Sequence, residues 1–75
     1  MLDKGLACYK KLWILLIEKN MKKTDLRIQS GISTGALAKL GRNENVNTEV
    51  LLKICRTLDC KIEDIIEFIP EGEDK

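Results

Sequence analysis

Residues 23–42 read KTDLRIQSGISTGALAKLGR, and the turn Gly31-Ile32-Ser33 inside that stretch decides the fold. Leu26 precedes the glycine, and Ile32, Leu37 and Leu40 follow it at spacings that suit two short helices sharing one buried seam. Gly31 supplies the positive φ that ends the first helix, Ser33 caps the second with its hydroxyl, and Ile32 plugs the angle between them. Two short helices joined through a glycine turn make a helix-turn-helix.

Working outward, 75 residues make one domain, close to the smallest size at which a core without disulfides or metal holds a fold. A large active-site cleft does not fit in such a chain. A hydrophobic content of 44% with 4% aromatics and a single proline favours helices over a β-sandwich, so the expected class is all-α. Cys8, Cys55 and Cys60 are odd in number, lack the paired short spacing of a zinc site and have no histidine to help them. They are expected to be reduced thiols in a cytoplasm, with no metal or other cofactor. The apolar run over residues 12–17 falls far short of the roughly 20 residues that span a bilayer. The first residues lack the layout of a signal peptide, so no membrane or export address is expected.

The net charge of +1 hides a division along the chain. Residues 1–47 carry nine bases against four acids, a net of +5, and residues 48–75 carry four bases against eight acids, a net of −4. The helix-turn-helix lies in the basic half. Such an asymmetry turns one side of a protein toward a polyanion and keeps the other side from sticking to it. Two differently charged solvated faces are the plainer explanation of the same split.

In chain order, residues 1–6 read as a flexible tail and residues 7–69 as the domain, followed by an acidic tail over 70–75. A first helix is predicted over about 7–19, with Leu12, Leu15 and Leu16 inward, Trp13 in the core or an interface, and Asn20 ending it. The second helix runs over about 23–30 with Leu26 inward and Asp25 in its first turn. Its cap is open between Lys22 and Thr24. The third runs from about 34 to 41 or 42, closed by Asn43 in the left-handed conformation. Asn47 caps a fourth helix whose stripe is Val50, Leu51, Ile54, Cys55 and Leu58. A fifth is predicted over about 62–69, with Ile62, Ile65, Ile66 and Ile69 on one face, Phe68 beside it and Pro70 stopping it. So much apolar surface on one short element points to a dimer interface, with Ile66, Phe68 and Ile69 as its candidates.

With Leu37 and Leu40 facing the core, Thr34, Gly35, Ala38, Lys39 and Arg42 are left on the outer face of the third helix. A helix enters a major groove closely only where its leading side chains are small or bond to base edges, and Thr34, Gly35 and Ala38 meet that condition. Lys39 and Arg42 add long donors for guanine edges or phosphates. A plain solvated helix with two surface cations is the other explanation of this face.

These residues resemble a known family. Leu26, Gly31-Ile32-Ser33, Leu37 and Leu40 look like the XRE family of phage-repressor and Cro type helix-turn-helix regulators, whose fold is the five-helix lambda-repressor-like domain. More narrowly, Tyr9-Lys10-Lys11-Leu12-Trp13, the segment 41–46, Leu52-Lys53-Ile54-Cys55, Leu58-Asp59-Cys60 and Glu63-Asp64-Ile65-Ile66-Glu67-Phe68 are similar to a compact bacterial and phage branch made of little more than this domain. The resemblance implies that the second helix lies across a DNA backbone and the third in the major groove. It puts Lys23 where the family often has a phosphate-holding glutamine. Ser33, Thr34, Gly35, Ala38, Lys39 and Arg42 fall on base-reading positions, and Asn43, Asn45 and Asn47 lie in a loop that approaches phosphates, a role to which Lys22, Lys23 and Arg27 add charge. The chain departs from the family pattern at Arg27, where alanine is usual, and at Gly41, where many members carry glutamate.

The expected function is sequence-specific binding of double-stranded DNA by a homodimer acting as a transcriptional regulator, as a repressor by preference. Half-sites would lie one helical turn, ~34 Å, apart. No small-molecule effector is expected. The rival is a helical protein-interaction module, antitoxin-like or a partner of an anti-repressor, that uses Trp13, Phe68 and the isoleucine face without DNA. An enzyme is not expected, since histidine is absent and no serine has a plausible base beside it.

Overall fold

The computed structural model describes residues 6–69; the tail expected over 70–75, and all but the last residue of the one expected over 1–6, lie outside them. The order is β1 (Leu6–Cys8), α1 (Lys10–Glu18), α2 (Lys23–Ser30), α3 (Thr34–Gly41), α4 (Thr48–Leu58), a 3-10 turn (Ile62–Asp64) and β2 (Glu67–Ile69). The class is all-α, as expected, with a minor two-stranded sheet. No described helix is long and apolar enough to cross a membrane.

The helices stop where their sequences supply left-handed residues. Asn20, Asn43 and Asp59 have φ of 57°, 57° and 53°, and Gly31 has φ of 81°. After α1, α3 and α4 the amide of the residue that follows the left-handed one returns to a carbonyl five residues back: Met21 N–H to Leu16 at 2.9 Å, Glu44 N–H to Lys39 at 2.8 Å and Cys60 N–H to Cys55 at 3.1 Å. The starts are equally local. Ser33 Oγ accepts from Ala36 N–H at 3.0 Å and Asn47 Oδ1 accepts from Val50 N–H at 3.0 Å, as expected from their caps. The cap of α2 is half a capping box. Lys22 sits at the N-cap, where its ammonium has no lone pair to accept with, and its N–H donates instead to Asp25 Oδ2 at 2.9 Å.

Tyr9, Leu12, Leu16, Leu26, Leu40, Ile54, Leu58 and Ile65 form the centre of one core, joined by Ala7, Ile32, Ala36 and Leu51. The residue i, i+4 pair Ala36 and Leu40 is the buried seam of α3, while Leu37, expected there, is half-buried at its flank. Cys55 and Val50 are likewise half-buried at the edge of the α4 stripe rather than inside it. All three cysteines are free thiols.

Two expectations are corrected at the ends. The first helix begins at Lys10, not at 7, and residue 6 belongs to a strand rather than a tail. The fifth helix over 62–69 is replaced by the 3-10 turn and β2, so among the described residues four α-helices stand in place of five. The cause of both is one pairing. Leu6, Ala7 and Cys8 lie opposite Ile69, Phe68 and Glu67 in antiparallel register. A helix over 62–69 would leave residues 6–8 without backbone partners, and β-branched isoleucines with a phenylalanine suit a strand at least as well as a helix. The turn is started by Lys61 N–H donating to Asp64 Oδ2 at 3.0 Å.

Candidate nucleic-acid interface

The scaffold for the site is the pair α2 and α3, with α2 packed against both α3 and α4. Between them Gly31 takes the left-handed conformation, and its N–H donates to the Arg27 carbonyl at 3.0 Å. Ile32 is buried behind the turn and Ser33 begins α3. Each part of the turn therefore does what its residue type allows: freedom, plug and cap.

The consequence appears on the other side of α3. Ser33, Thr34, Gly35, Ala38, Lys39 and Arg42, the candidates for base reading, are all exposed. Nothing in the fold requires glycine at 35, because a Cβ there would meet only Ser33 Oγ at 3.8 Å, an ordinary contact. A helix residue with neither a packing nor a φ reason to be glycine leaves a flat outer surface. Ser33, Gly35, Ala36 and Lys39 share a cleft of about 260 Å³ with Val46, Asn47 and Val50, so the third helix and the following loop meet at one place.

The other candidates are arranged differently. Lys22 and Lys23 line a separate recess of about 250 Å³ with Trp13, Leu16, Ile17 and Met21. There the Lys23 ammonium sits 4.3 Å from the centre of the Trp13 ring, a cation–π contact that holds it at the start of α2. Arg27 is half-buried. Asn45 is exposed in the loop.

Arg42 and Asn43 have partners within the fold. The Arg42 guanidinium donates to both carboxylate oxygens of Glu44, from Nε at 2.7 Å and from Nη2 at 3.3 Å. These hydrogen bonds hold the Glu44 carboxyl below the usual carboxylate range, with the charges of Arg42 and Lys39 adding to the effect, and they raise Arg42 further above its ordinary value. Both side chains are exposed, so water and salt compete for the pair. Asn43 Oδ1 accepts the Tyr9 N–H at 3.1 Å, which makes its side chain a structural tie as well as a candidate contact.

Tyr9 and Glu44 are the residues that sequence reasoning missed. Tyr9 is 1% exposed and its hydroxyl donates to the Glu44 carbonyl at 2.8 Å. Burial pushes that hydroxyl up from its ordinary value, and the neighbouring Val46 amide offsets part of the shift. As one apolar residue among several near the first helix, Tyr9 carries no sequence signal of bonds to a loop more than thirty positions away. Glu44 carries a weak one, an acid two places after an arginine.

Of the dimer candidates, Phe68 and Ile69 lie on β2 and Ile66 just before it, rather than on a helix face. Phe68 is 72% exposed and Ile69 48%, while Ile66 is half-buried against the core. Among the described residues no cluster of acids and cysteines is placed to hold a metal ion.

Comparison with known proteins agrees with this geometry. The crystal structure of the transcriptional regulator VanUg, form II, is similar to this chain with a TM-score of 0.88 and 51% identity, over 92% of each chain. No protein among those with curated descriptions matches. The family model of the Cro/C1-type helix-turn-helix DNA-binding domain matches residues 11–71, well over half of the chain. The chain thus belongs to the Cro/C1-type helix-turn-helix DNA-binding family, the XRE type that its turn and helix spacing resembled.

Proposed function

We propose that this protein is a transcriptional regulator, by preference a repressor, that reads double-stranded DNA with α3 in the major groove and acts as a homodimer. The observation that carries the reading is the outer face of α3. Thr34, Gly35, Ala38 and Lys39 are exposed together on a helix whose start is capped and whose opposite side is anchored by Ala36 and Leu40. A capped and anchored helix presents its side chains in one orientation, which base readout requires.

Thr34 and Lys39 are the principal base-reading side chains, with Ser33, Gly35 and Ala38 allowing close approach. Arg42 joins them when DNA phosphates or a guanine edge compete successfully with Glu44. Lys22, Lys23, Arg27, Asn43, Asn45 and Asn47 contact or face the backbone and supply the salt-dependent term. Phe68 and Ile69, with Ile66 beneath, supply the contact between two copies, which favours an operator with two-fold symmetry. The similarity to a transcriptional regulator supports the regulatory role, and the reading places the protein in the cytoplasm with its DNA.

Enrichment of random duplexes at two salt concentrations tests this. A defined sequence should emerge, with affinity falling as salt rises. Lys39→Ala should then relax preference at one base pair by ~1 to 3 kcal/mol, while Lys23→Ala weakens all sequences alike and lowers the salt slope by about 1. Equal losses for both, with preference unchanged, would remove the assignment of roles. No enrichment and no salt slope would leave a protein-interaction module instead.

A further inference from the structure

We propose that Tyr9 is a positioning residue for DNA binding, holding the loop over residues 43–47 in the shape that presents its backbone to phosphates. The inference rests on the DNA-binding reading and adds to it a residue remote in sequence from α3 that touches no DNA.

The loop Asn43-Glu44-Asn45-Val46-Asn47 contains neither proline nor glycine to set its path. Its bonds back to α3 end with Asn43 N–H to Leu40 at 3.2 Å and Glu44 N–H to Lys39 at 2.8 Å. Among the described residues, the Asn45 and Asn47 amides have no protein acceptor. They are the free donors of this segment. Asn47 Oδ1 fixes the far end of the segment to α4 by accepting the Val50 N–H at 3.0 Å, and Val46 packs on the core; Tyr9 fastens the near end, from both ends of the residue. Its backbone N–H holds Asn43 Oδ1 at 3.1 Å and its hydroxyl holds the Glu44 carbonyl at 2.8 Å.

Tyr9 is itself immobilised. Its carbonyl accepts from Leu12 and Trp13 at 3.0 and 3.3 Å to open α1, and its ring lies in the core. The preceding residue, Cys8, is paired with Glu67 across the sheet. The near end of the loop is thereby tied to α1 and to both terminal strands, and not only to the helices α3 and α4 that it joins. Releasing the hydroxyl frees a segment whose ordering must then be achieved on binding, at a cost in affinity.

Tyr9→Phe removes the hydroxyl and keeps the ring. The variant is compared with wild type on the enriched duplex and on random duplex, with phosphate-ethylation interference on the former and amide hydrogen exchange on the free protein. Lys23→Ala identifies the phosphates that face α2. Tyr9→Phe should keep its circular dichroism spectrum, bind both duplexes about three- to tenfold more weakly, and keep its base preference. It should exchange faster at residues 43–47, and lose interference at one or more phosphates that Lys23→Ala retains. Wild-type affinity and footprint in Tyr9→Phe would overturn the proposal, as would an even weakening of every phosphate contact that follows a fall in melting temperature. Absence of DNA binding by wild type would overturn the function reading itself, a result distinct from both.

Discussion

Gly35→Ala separates stability from binding, because the two should move in opposite directions. Gly35 is the second residue of α3, its φ is not in the left-handed region, and a Cβ placed there meets only Ser33 Oγ at 3.8 Å. The methyl group therefore adds no clash and removes the backbone freedom that glycine loses on entering a helix. The gain is about 0.5 to 1 kcal/mol. For a domain of this size that raises the melting temperature by roughly 2 to 8 °C. On the proposed reading the same methyl stands between α3 and the bases, and overpacking of a close interface costs about 1 to 3 kcal/mol, roughly a 5- to 150-fold loss of affinity. Gly41→Ala is the control, since a Cβ at Gly41 has nothing within 4 Å and the residue is not among the groove-facing set. Thermal denaturation and titration of the enriched duplex read both effects. A destabilised Gly35→Ala would refute the account of local packing. A stabilised Gly35→Ala with unchanged affinity would show that this face does not meet bases closely.

Ser33→Ala and Asn47→Ala each remove a capping acceptor and should each lower stability by about 1 kcal/mol, or roughly 4 to 8 °C in melting temperature; losses near zero would mean that the caps are exchanged freely for water. Glu44 should titrate below the ordinary carboxylate value by NMR, because Arg42 bonds to its ionised form. Its contribution to stability is present above the unfolded-state value, about 4.3, and is lost as pH falls through the lower folded-state value. Glu44→Gln should strengthen DNA binding by freeing Arg42, and the gain should vanish when Arg42→Gln is added; a gain that persists would assign it to the lost negative charge alone. Burial, with the neighbouring Cys55 side chain behind it, pushes the Cys60 thiol up to about 11. Mass-spectrometric mapping of alkylation should accordingly find Cys60 nearly unreactive at neutral pH and increasingly reactive as pH approaches that value, and prompt labelling at pH 7 would contradict it.

The interface was unevenly legible. The turn could be read because each of its needs falls on one residue: freedom on Gly31, an acceptor on Ser33, an apolar plug on Ile32. The helix ends at Asn20 and Asn43 and the cap at Asn47 were legible for the same reason. The partners of Arg42 and Asn43 were not, because a guanidinium or an amide in a polar loop is described equally well as waiting for phosphate or as bonded within the protein. Only the placement of Glu44 and Tyr9 distinguishes the two. Leu37 was assigned to the core by spacing alone, and the orientation of α3 gave that place to Ala36.

What the chain determines by itself is whatever depends on neighbours within a few positions: the four helices of the described residues, the caps at Ser33 and Asn47, the left-handed exits at Asn20, Gly31 and Asn43, and the central turn with its exposed outer face. Ile65-Ile66-Glu67-Phe68-Ile69 lies beyond that reach. Its apolar residues satisfy a helical and an extended spacing alike, and the choice falls to residues 6–8, some sixty positions away, whose backbone groups it pairs. Tyr9 follows the same rule, being an apolar residue in the sequence and a loop fastener only in three dimensions. Tertiary structure decided both, because backbone pairing and buried hydrogen bonds are satisfied by proximity in space, which local spacing does not encode.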